Sequence, residues 1–393
     1  MIKEAAKMIL ASERPIIYAG GGILKARAAE PLRELAELID SYVVTTLMAR
    51  GAFPDDHPLC LGMPGMHGNA TAITAMQRSD LLITLGARFD DRITGKVDAF
   101  APDAKIIHVD IDPAEQGKVR RPDVPIVGDA KFVIQAIVDE IRSLLAAGTV
   151  QADTSTWKSK VSGWREQFPV VYEPSAPGEA LKPQYCIEQL NDAAAPGTIV
   201  ASGVGQHQMY TSQFFEFNEP YTWVNSGGLG TMGFSIPAAI GAKAAMPDRD
   251  VWAVDGDGCF QMTAQELVTA TVEGLPIKVM LLNNQHLGMV VQWEDRFMDG
   301  NRAHTYLGPI HHPEAKGKGG GAFAEERYPD FVQIAKGYGC GGATVSRKAD
   351  LKGALEEMIA HDGPYVLDVA VPYQAHVLPM IPAGMTVKDI IKE

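Results

Sequence analysis

Apolar residues along this chain fall into two alternating patterns, short unbroken runs and stripes at helical spacing, and the alternation repeats over most of its length. Pro15-Ile16-Ile17-Tyr18-Ala19, Tyr42–Leu47, Leu81–Leu85, Lys105–Val109 and Val124–Val127 read as buried strands, most of them running into Gly, Thr or Asp. Leu32, Leu35, Leu38 and Ile39 form a helical stripe between the first two. From 149 to 180 the pattern loosens into a linker with one short helix, whose Trp157 and Trp164 are expected to dock on a domain. It resumes at 181 with a helix over Pro183–Ala194, strands over Thr198–Ser202, Tyr221–Val224, Val251–Val254 and Ile277–Leu282, and a crossing helix over Thr263–Glu273 that turns Leu267, Ala270 and Thr271 inward. Further elements follow over Asp330–Tyr338, Ala349–His361 and Tyr365–Val371. The expectation is α/β: two doubly wound parallel-sheet domains, 1–148 and 181–393, joined by 149–180.

Composition narrows the class. The chain has 393 residues, 46% of them apolar, with 35 basic against 48 acidic residues and a net charge of −13. No basic tract stands out, which argues against a nucleic-acid partner. No run approaches the ~18 apolar residues of a membrane span, and MIKEAAKMILASERP is too charged for a signal peptide, so a cytoplasmic setting is expected. Cys60, Cys186, Cys259 and Cys340 lack CxxC spacing, which points to a reducing compartment without a zinc or disulfide framework.

The chemistry concentrates between Trp252 and Trp293. Val251–Val254 ends in Asp255-Gly256-Asp257-Gly258, and Ile277–Leu282 ends in Asn283-Asn284, with a helix-length segment between. In such a βαβ unit the strands lie side by side, ~4.8 Å apart, so Asp257 and Asn284 reach one edge of the sheet although 27 positions separate them. A carboxylate and an amide oxygen there, with a backbone carbonyl from the next turn, suit Mg²⁺, which keeps substrate phosphates among its hard oxygen ligands. Gly256 and Gly258 let a diphosphate approach the backbone, and the following helix aims its N-terminal amides at the charge. Gly228-Leu229-Gly230-Thr231-Met232-Gly233 is formally GxGxxG and offers a rival, a dinucleotide-binding dehydrogenase. That fingerprint needs an acidic residue at the end of the second strand, whereas Asp248 and Asp250 precede it.

Gly256-Asp257-Gly258 through Asn283-Asn284 resembles the thiamine diphosphate motif, and NNQHLGMVVQWEDRF resembles the acetohydroxyacid synthase (acetolactate synthase) catalytic subunit. The resemblance implies metal ligation by Asp257, Asn284 and the backbone carbonyl of His286. It implies thiamine diphosphate contacts from Gln206, His207, Gly230, Thr231, Met232, Gly258, Cys259, Leu287, Gly288 and Met289. Met232 would be the apolar wedge that bends the cofactor, and Trp293 would wall the pocket of the second keto acid. From the residues alone Cys259 is a small buried residue, His207 a helix cap, and Met289, Val290 and Trp293 one apolar helical face that packing could explain.

In the first domain the resemblance implies an extended FAD lined by Gly21, Thr46, Leu47, Gly65, Met66, His67, Gly86, Ala87, Arg88, Phe89, Asp90, Asp110, Ile111 and Asp129, with Asp91 and Arg92 near the channel mouth. A loop histidine capping backbone, for His67, and a surface ion pair, for Asp91 and Arg92, are the plainer readings. HVLPMIPAGMTVKDI matches the family's C-terminus, which folds over the active site. The Gly-rich stretch 308–323 reads as a surface loop, and His304, His311 and His312 have no fixed metal-ligand spacing.

The implied reaction is decarboxylation of pyruvate and condensation with a second 2-keto acid, pyruvate or 2-ketobutyrate, in branched-chain amino acid biosynthesis, with FAD structural. A homo-oligomer, dimer or tetramer, and a small regulatory subunit are implied partners. By the resemblance the chain opens at the second of three domains. The first domain would supply the glutamate that activates the cofactor, a role with no candidate here, so a truncated or split catalytic subunit with a separate N-terminal domain is expected. The alternatives are another thiamine diphosphate enzyme, of glyoxylate carboligase or pyruvate oxidase type, and a non-catalytic cofactor-binding remnant.

Overall fold

The computed structural model describes residues 1–175, 180–309 and 328–392. Its contacts divide into two compact units. The first holds Met1–Val171, with Phe217–Tyr221 and the stretch from Leu378 onward returning to it; the second holds Tyr172–Glu216 and Thr222–Val377.

In the first unit, strands β1 (Pro15–Ala19), β2 (Tyr42–Thr45), β3 (Leu81–Leu85), β4 (Lys105–Asp110) and β5 (Val124–Val127) form a parallel sheet in the order β2-β1-β3-β4-β5. The chain leaves β1 for β2 on one side and returns to β3 on the other, which opens a crevice at the carboxyl ends of β1 and β3. β1 and β3 are buried throughout, as strands covered by helices on both faces must be. The helix Ala29–Ile39 lays Leu32, Leu35, Ala36 and Ile39 on the core, following its apolar stripe, and its C-cap Asp40 is left-handed. The helix Ser155–Gln167 packs Trp157 and Val161 into the same core, with Trp164 edge-on to Trp157 at 5.5 Å.

In the second unit, β6 (Ile199–Ser202), β7 (Trp223–Asn225), β8 (Val251–Gly256), β9 (Lys278–Asn283), β10 (Gly341–Val345) and β11 (Tyr365–Ala370) form a parallel sheet in the order β10-β11-β9-β8-β6-β7. Its core holds Ile199, Ala253, Phe260, Leu267, Val279, Phe331 and Val366, all at most 4% exposed.

Three local expectations are corrected. β8 continues through Gly256 and a helix starts at once with Asp257–Thr263, so Asp255 and Gly256 are strand rather than turn; the crossing helix proper is Leu267–Val272. On the helix Gly288–Phe297 the buried positions are Gly288, Val291, Gln292 and Glu294, while Val290 is 47% exposed, because buried amide and carboxylate bonds orient this helix rather than an apolar stripe. β10 was not expected, since Gly341-Gly342 carries almost no strand signal; it forms because β11 offers it a ladder.

Candidate functional site

The register of the second sheet pairs Gly256 with Leu282, which brings the residues just beyond them, Asp257 and Asn283-Asn284, to the same edge. Asp257 is 2% exposed and heads the helix Asp257–Thr263, and burial pushes its carboxyl up to about 7. A metal binding here displaces a proton near neutrality. Tyr328 donates its hydroxyl to Asp257 Oδ2.

Beyond β9 the backbone turns sharply, with φ +57° at Gln285. Asn284 Oδ1 accepts from the backbone N–H of His286 at 3.0 Å, and the imidazole Nδ1 of His286 lies 2.7 Å from the Asn284 carbonyl. The ring is held between Tyr373 and Tyr306, with centroids 4.1 and 5.0 Å away. Behind the turn runs a chain of amides. Asn284 Nδ2 donates to Gln206 Oε1 at 3.4 Å, Gln206 Nε2 donates to Gln292 Oε1 at 3.3 Å and to the Ala375 carbonyl at 3.1 Å, and Gln292 Nε2 donates to the Val377 carbonyl at 3.1 Å. Gly288 makes this possible: a Cβ there would lie 2.2 Å from Gln206 Oε1 and 2.6 Å from Asn284 Nδ2.

The donor set offered by Asp257, Asn284 and the turn at 284–286 is all oxygen, and its carboxylate is buried, where a cation offsets its charge further than the Tyr328 hydroxyl does, so the residues fit Mg²⁺. Side chains close in on Gly258: a Cβ there would meet Leu287, Met232 and Leu307 at 3.1, 3.4 and 3.5 Å. Met232 thus reaches the metal edge from a segment, Gly227–Thr231, that is exposed throughout.

His207 lies next to this edge at the start of the helix Gln206–Phe214. Burial pulls its pKa down to about 3, so the imidazole is neutral. Its Nε2 lies 3.6 Å from Asp255 Oδ1, and Asp255, wholly buried, is pushed up to about 7 by the same desolvation. Cys259, whose thiol burial raises to about 12, donates to the Val204 carbonyl. Trp293 is part-buried and stacks at a tilt on Phe297, centroids 5.0 Å apart.

Sequence reasoning missed Asp255, Gln292, Tyr328 and Asp368. Asp368 is pushed up to about 6 by burial and accepts from Asn283 Nδ2 at 3.1 Å. Asp255 stood two positions before Asp257, near the end of β8, and Gln292 one helical turn after Gly288, but only packing turns each inward. Tyr328 carried no local signal. His304 shows no resolved metal cluster among the described residues, and His311 and His312 lie outside them, as does most of 308–323.

In the first unit Gly21, Thr46, Leu47, Gly86–Asp90, Asp110, Ile111 and Asp129 all lie at the carboxyl edge of the sheet. At the crevice the loops after β1 and β3 touch backbone to backbone, since a Cβ on Gly22 would come within 2.7 Å of Gly86 Cα. Arg88, exposed, pairs with half-buried Asp90 at 3.3 Å, whereas Ala87 and Phe89 are buried. Phe89 turns its ring into the core, edge-on to His108 at 5.3 Å, so it presents backbone at the edge. Asp129 caps the helix Ala130–Ala146. Gly65 and Met66 meet the short helix Asp91–Thr94, Met66 N–H donating to the Arg92 carbonyl at 2.7 Å, and His67 is buried. The side chains of Asp91 and Arg92 are 76% and 64% exposed and 4.0 Å apart. The C-terminal stretch packs on this unit, with Ile381 N–H donating to the Met66 carbonyl and Lys96 N–H to the Met385 carbonyl.

Residues 2–137 match the thiamine pyrophosphate enzyme central domain, and residues 203–369 match the thiamine pyrophosphate enzyme C-terminal TPP binding domain. The chain is 50% identical to the acetolactate synthase large subunit of Mycobacterium tuberculosis, over 99% of this chain and 60% of that protein. It is 48% identical to the acetolactate synthase large subunit of Corynebacterium glutamicum, over 99% of this chain and 59% of that one. A probable chloroplastic acetolactate synthase of Oryza sativa is 50% identical, over 100% and 57%. The chain thus spans about 60% of the length of the curated relatives it matches.

Proposed function

The chain belongs to the thiamine pyrophosphate enzyme family, and from that premise we propose that it forms most of the catalytic large subunit of an acetolactate synthase, which joins pyruvate to a second 2-keto acid. The observation that carries the reading is the meeting of buried Asp257 with the Asn284 turn at one sheet edge. When bound, thiamine diphosphate supplies an electron sink at which a keto acid can lose carbon dioxide before its remaining carbons join a second keto acid.

The residues of the chain then have distinct tasks. Asp257, Asn284 and the carbonyl of His286 would hold a Mg²⁺ for the diphosphate. Gln206 fixes Asn284 through its amide bond, so the metal edge is shaped before the ligand arrives. His207, kept neutral by burial, can donate a proton to a phosphate oxygen in a hydrogen bond without competing with the metal for charge. Met232 supports the thiazolium side, and Trp293, on the exposed face of its helix, borders the space for the second keto acid. Gly21, Gly86 and Arg88 would hold the pyrophosphate of an FAD at the carboxyl edge of the first sheet, and Asp110 and Asp129 would accept from its hydroxyls.

None of the residues assigned here is a carboxylate for the aminopyrimidine, and turnover is proposed to draw on the further length that the relatives have. The test is product analysis from mixed pyruvate and 2-ketobutyrate, with Mg²⁺, thiamine diphosphate and FAD. It compares this chain alone with this chain joined to the N-terminal segment of the M. tuberculosis relative. Acetolactate and acetohydroxybutyrate from the joined protein, little from the chain alone, and none from the joined protein carrying Asp257→Ala are expected. Robust turnover by the 393-residue chain alone would sink the division of labour. A joined protein that binds FAD yet makes neither product would overturn the assignment.

A further inference from the structure

The first unit carries a second concave site, away from the carboxyl edge of its sheet. It is a cavity of about 1010 Å³ bounded by the helices Ala70–Arg78 and Ser155–Gln167 and by the C-terminal stretch. A pocket of this size takes a whole small molecule.

Its lining is one-sided in charge. Arg14, Arg78, Lys160, Lys388 and Lys392 face it against one carboxylate, Asp103, although the protein as a whole has a net charge of −13. Among the described residues none of these cations is ion-paired with a carboxylate. Like charges gathered round one cavity repel, and among the described residues the compensation is slight: Asp103 lines the cavity and Lys388 acts on Asp389.

The hydrogen-bonding groups point to the same partner. The acceptors that line the cavity are largely committed within the protein: Gln77 Oε1 accepts from Ala101 N–H at 3.1 Å, and Gln77 Nε2 donates to the Ala99 carbonyl at 2.6 Å. The hydroxyl of Thr74 donates to the Ala70 carbonyl, and that of Thr386 to Asp389. The donors are not. Trp157 is 3% exposed, and its indole Nε1 has no hydrogen-bond partner among the described residues; the same holds for the buried Nε of Arg14. Both of these N–H groups are shielded from solvent, so the donors a ligand reaches from the cavity are the exposed ends of Arg78, Lys160, Lys388 and Lys392.

The third property is aromatic. Trp164 and Phe168 also line the cavity, Trp164 part-exposed, and Lys392 Nζ stands 4.0 Å over the Phe168 ring. Flat apolar surface beside a group of donors selects a ligand with both a planar ring and a polyanionic end.

We propose that this cavity is a nucleotide site, taking a nucleoside diphosphate with its base against Trp164 and Phe168 and its phosphates among Arg78, Lys160, Lys388 and Lys392. It is separate from the flavin edge and from the metal edge, and it stands whether or not the thiamine reading does.

The test loads the chain with FAD and with Mg²⁺ and thiamine diphosphate, so that both cofactor edges are filled, and then titrates ADP while following tryptophan fluorescence and heat. A saturable quench is expected, weakening with salt and weakening at least tenfold in the double variant Lys160→Glu, Lys392→Glu. Both lysines are exposed, so the variant should keep the parent's circular dichroism and flavin absorbance; Lys160→Gln, a milder change, should give an intermediate affinity. Adenosine alone and inorganic phosphate alone should each bind more weakly than ADP. No saturable response at millimolar ADP, or the same affinity in the double variant, overturns the site. Phosphate binding as tightly as ADP overturns the nucleotide assignment.

Discussion

Single atoms decide much of this account, and Gly288 is the clearest case. A methyl group at that position would sit 2.2 Å from Gln206 Oε1 and 2.6 Å from Asn284 Nδ2, far inside contact distance, so Gly288→Ala must push the amide chain apart. The variant should keep its far-ultraviolet circular dichroism but bind thiamine diphosphate with Mg²⁺ at least roughly tenfold more weakly in calorimetry, as expected when groups that position a metal ligand are displaced. Unchanged affinity would show that Gln206 does not set the position of Asn284. His108 makes a second prediction at this scale. It is wholly buried on β4, its Nε2 bonds the Ala87 carbonyl at 3.1 Å, and burial lowers its pKa below the ordinary 6.5. As pH falls through 6.5 the unfolded chain takes up a proton that the folded chain refuses, so stability falls with it. The Tm of His108→Gln should therefore decline less between pH 7 and pH 5 than that of the parent, and an identical decline would show that His108 does not drive the loss.

Elements are held by a few buried polar ties as well as by apolar faces. Arg50, just past β2, forms a two-pronged pair with Asp55 at 2.5 and 2.6 Å, and Asp55 also accepts from Phe217 N–H at 2.8 Å, tying in the returning segment Phe217–Tyr221. Asp55→Ala leaves the Arg50 guanidinium buried and uncompensated, at a cost of ~3–5 kcal/mol in denaturant unfolding of the first unit. A loss near that of an exposed ion pair, under about 1 kcal/mol, would contradict this. At this scale the sequence was most readable where the strands are continuously apolar: β1, β3 and β5 begin and end where their apolar runs do. It was least readable where tertiary partners make the element. β10 is Gly341-Gly342-Ala343-Thr344-Val345, formed on the ladder of β11, and the helix Gly288–Phe297 is turned by Gln292 and Glu294 rather than by its apolar residues. The metal edge was legible because GDG and NN need only adjacent strands. Tyr328 on Asp257 was not, since it is joined by a contact 71 positions long in sequence.

At the scale of the molecule, two parallel sheets each present the ends of their strands to a ligand, and the assignments follow from which residues stand there. The relatives are longer than this chain, so cofactor binding is the property it tests most directly. The residues proposed for the diphosphate and the metal all lie within one unit. Removing the metal should therefore matter before any chemistry is measured. The most direct test is calorimetric titration of thiamine diphosphate into the 393-residue chain, with Mg²⁺ and with EDTA, repeated on Asp257→Ala. Saturable binding that requires Mg²⁺ and is lost in Asp257→Ala is the predicted result. Binding of equal strength in EDTA, or in the variant, would contradict the claim that Asp257 and the Asn284 turn hold the cofactor through a metal.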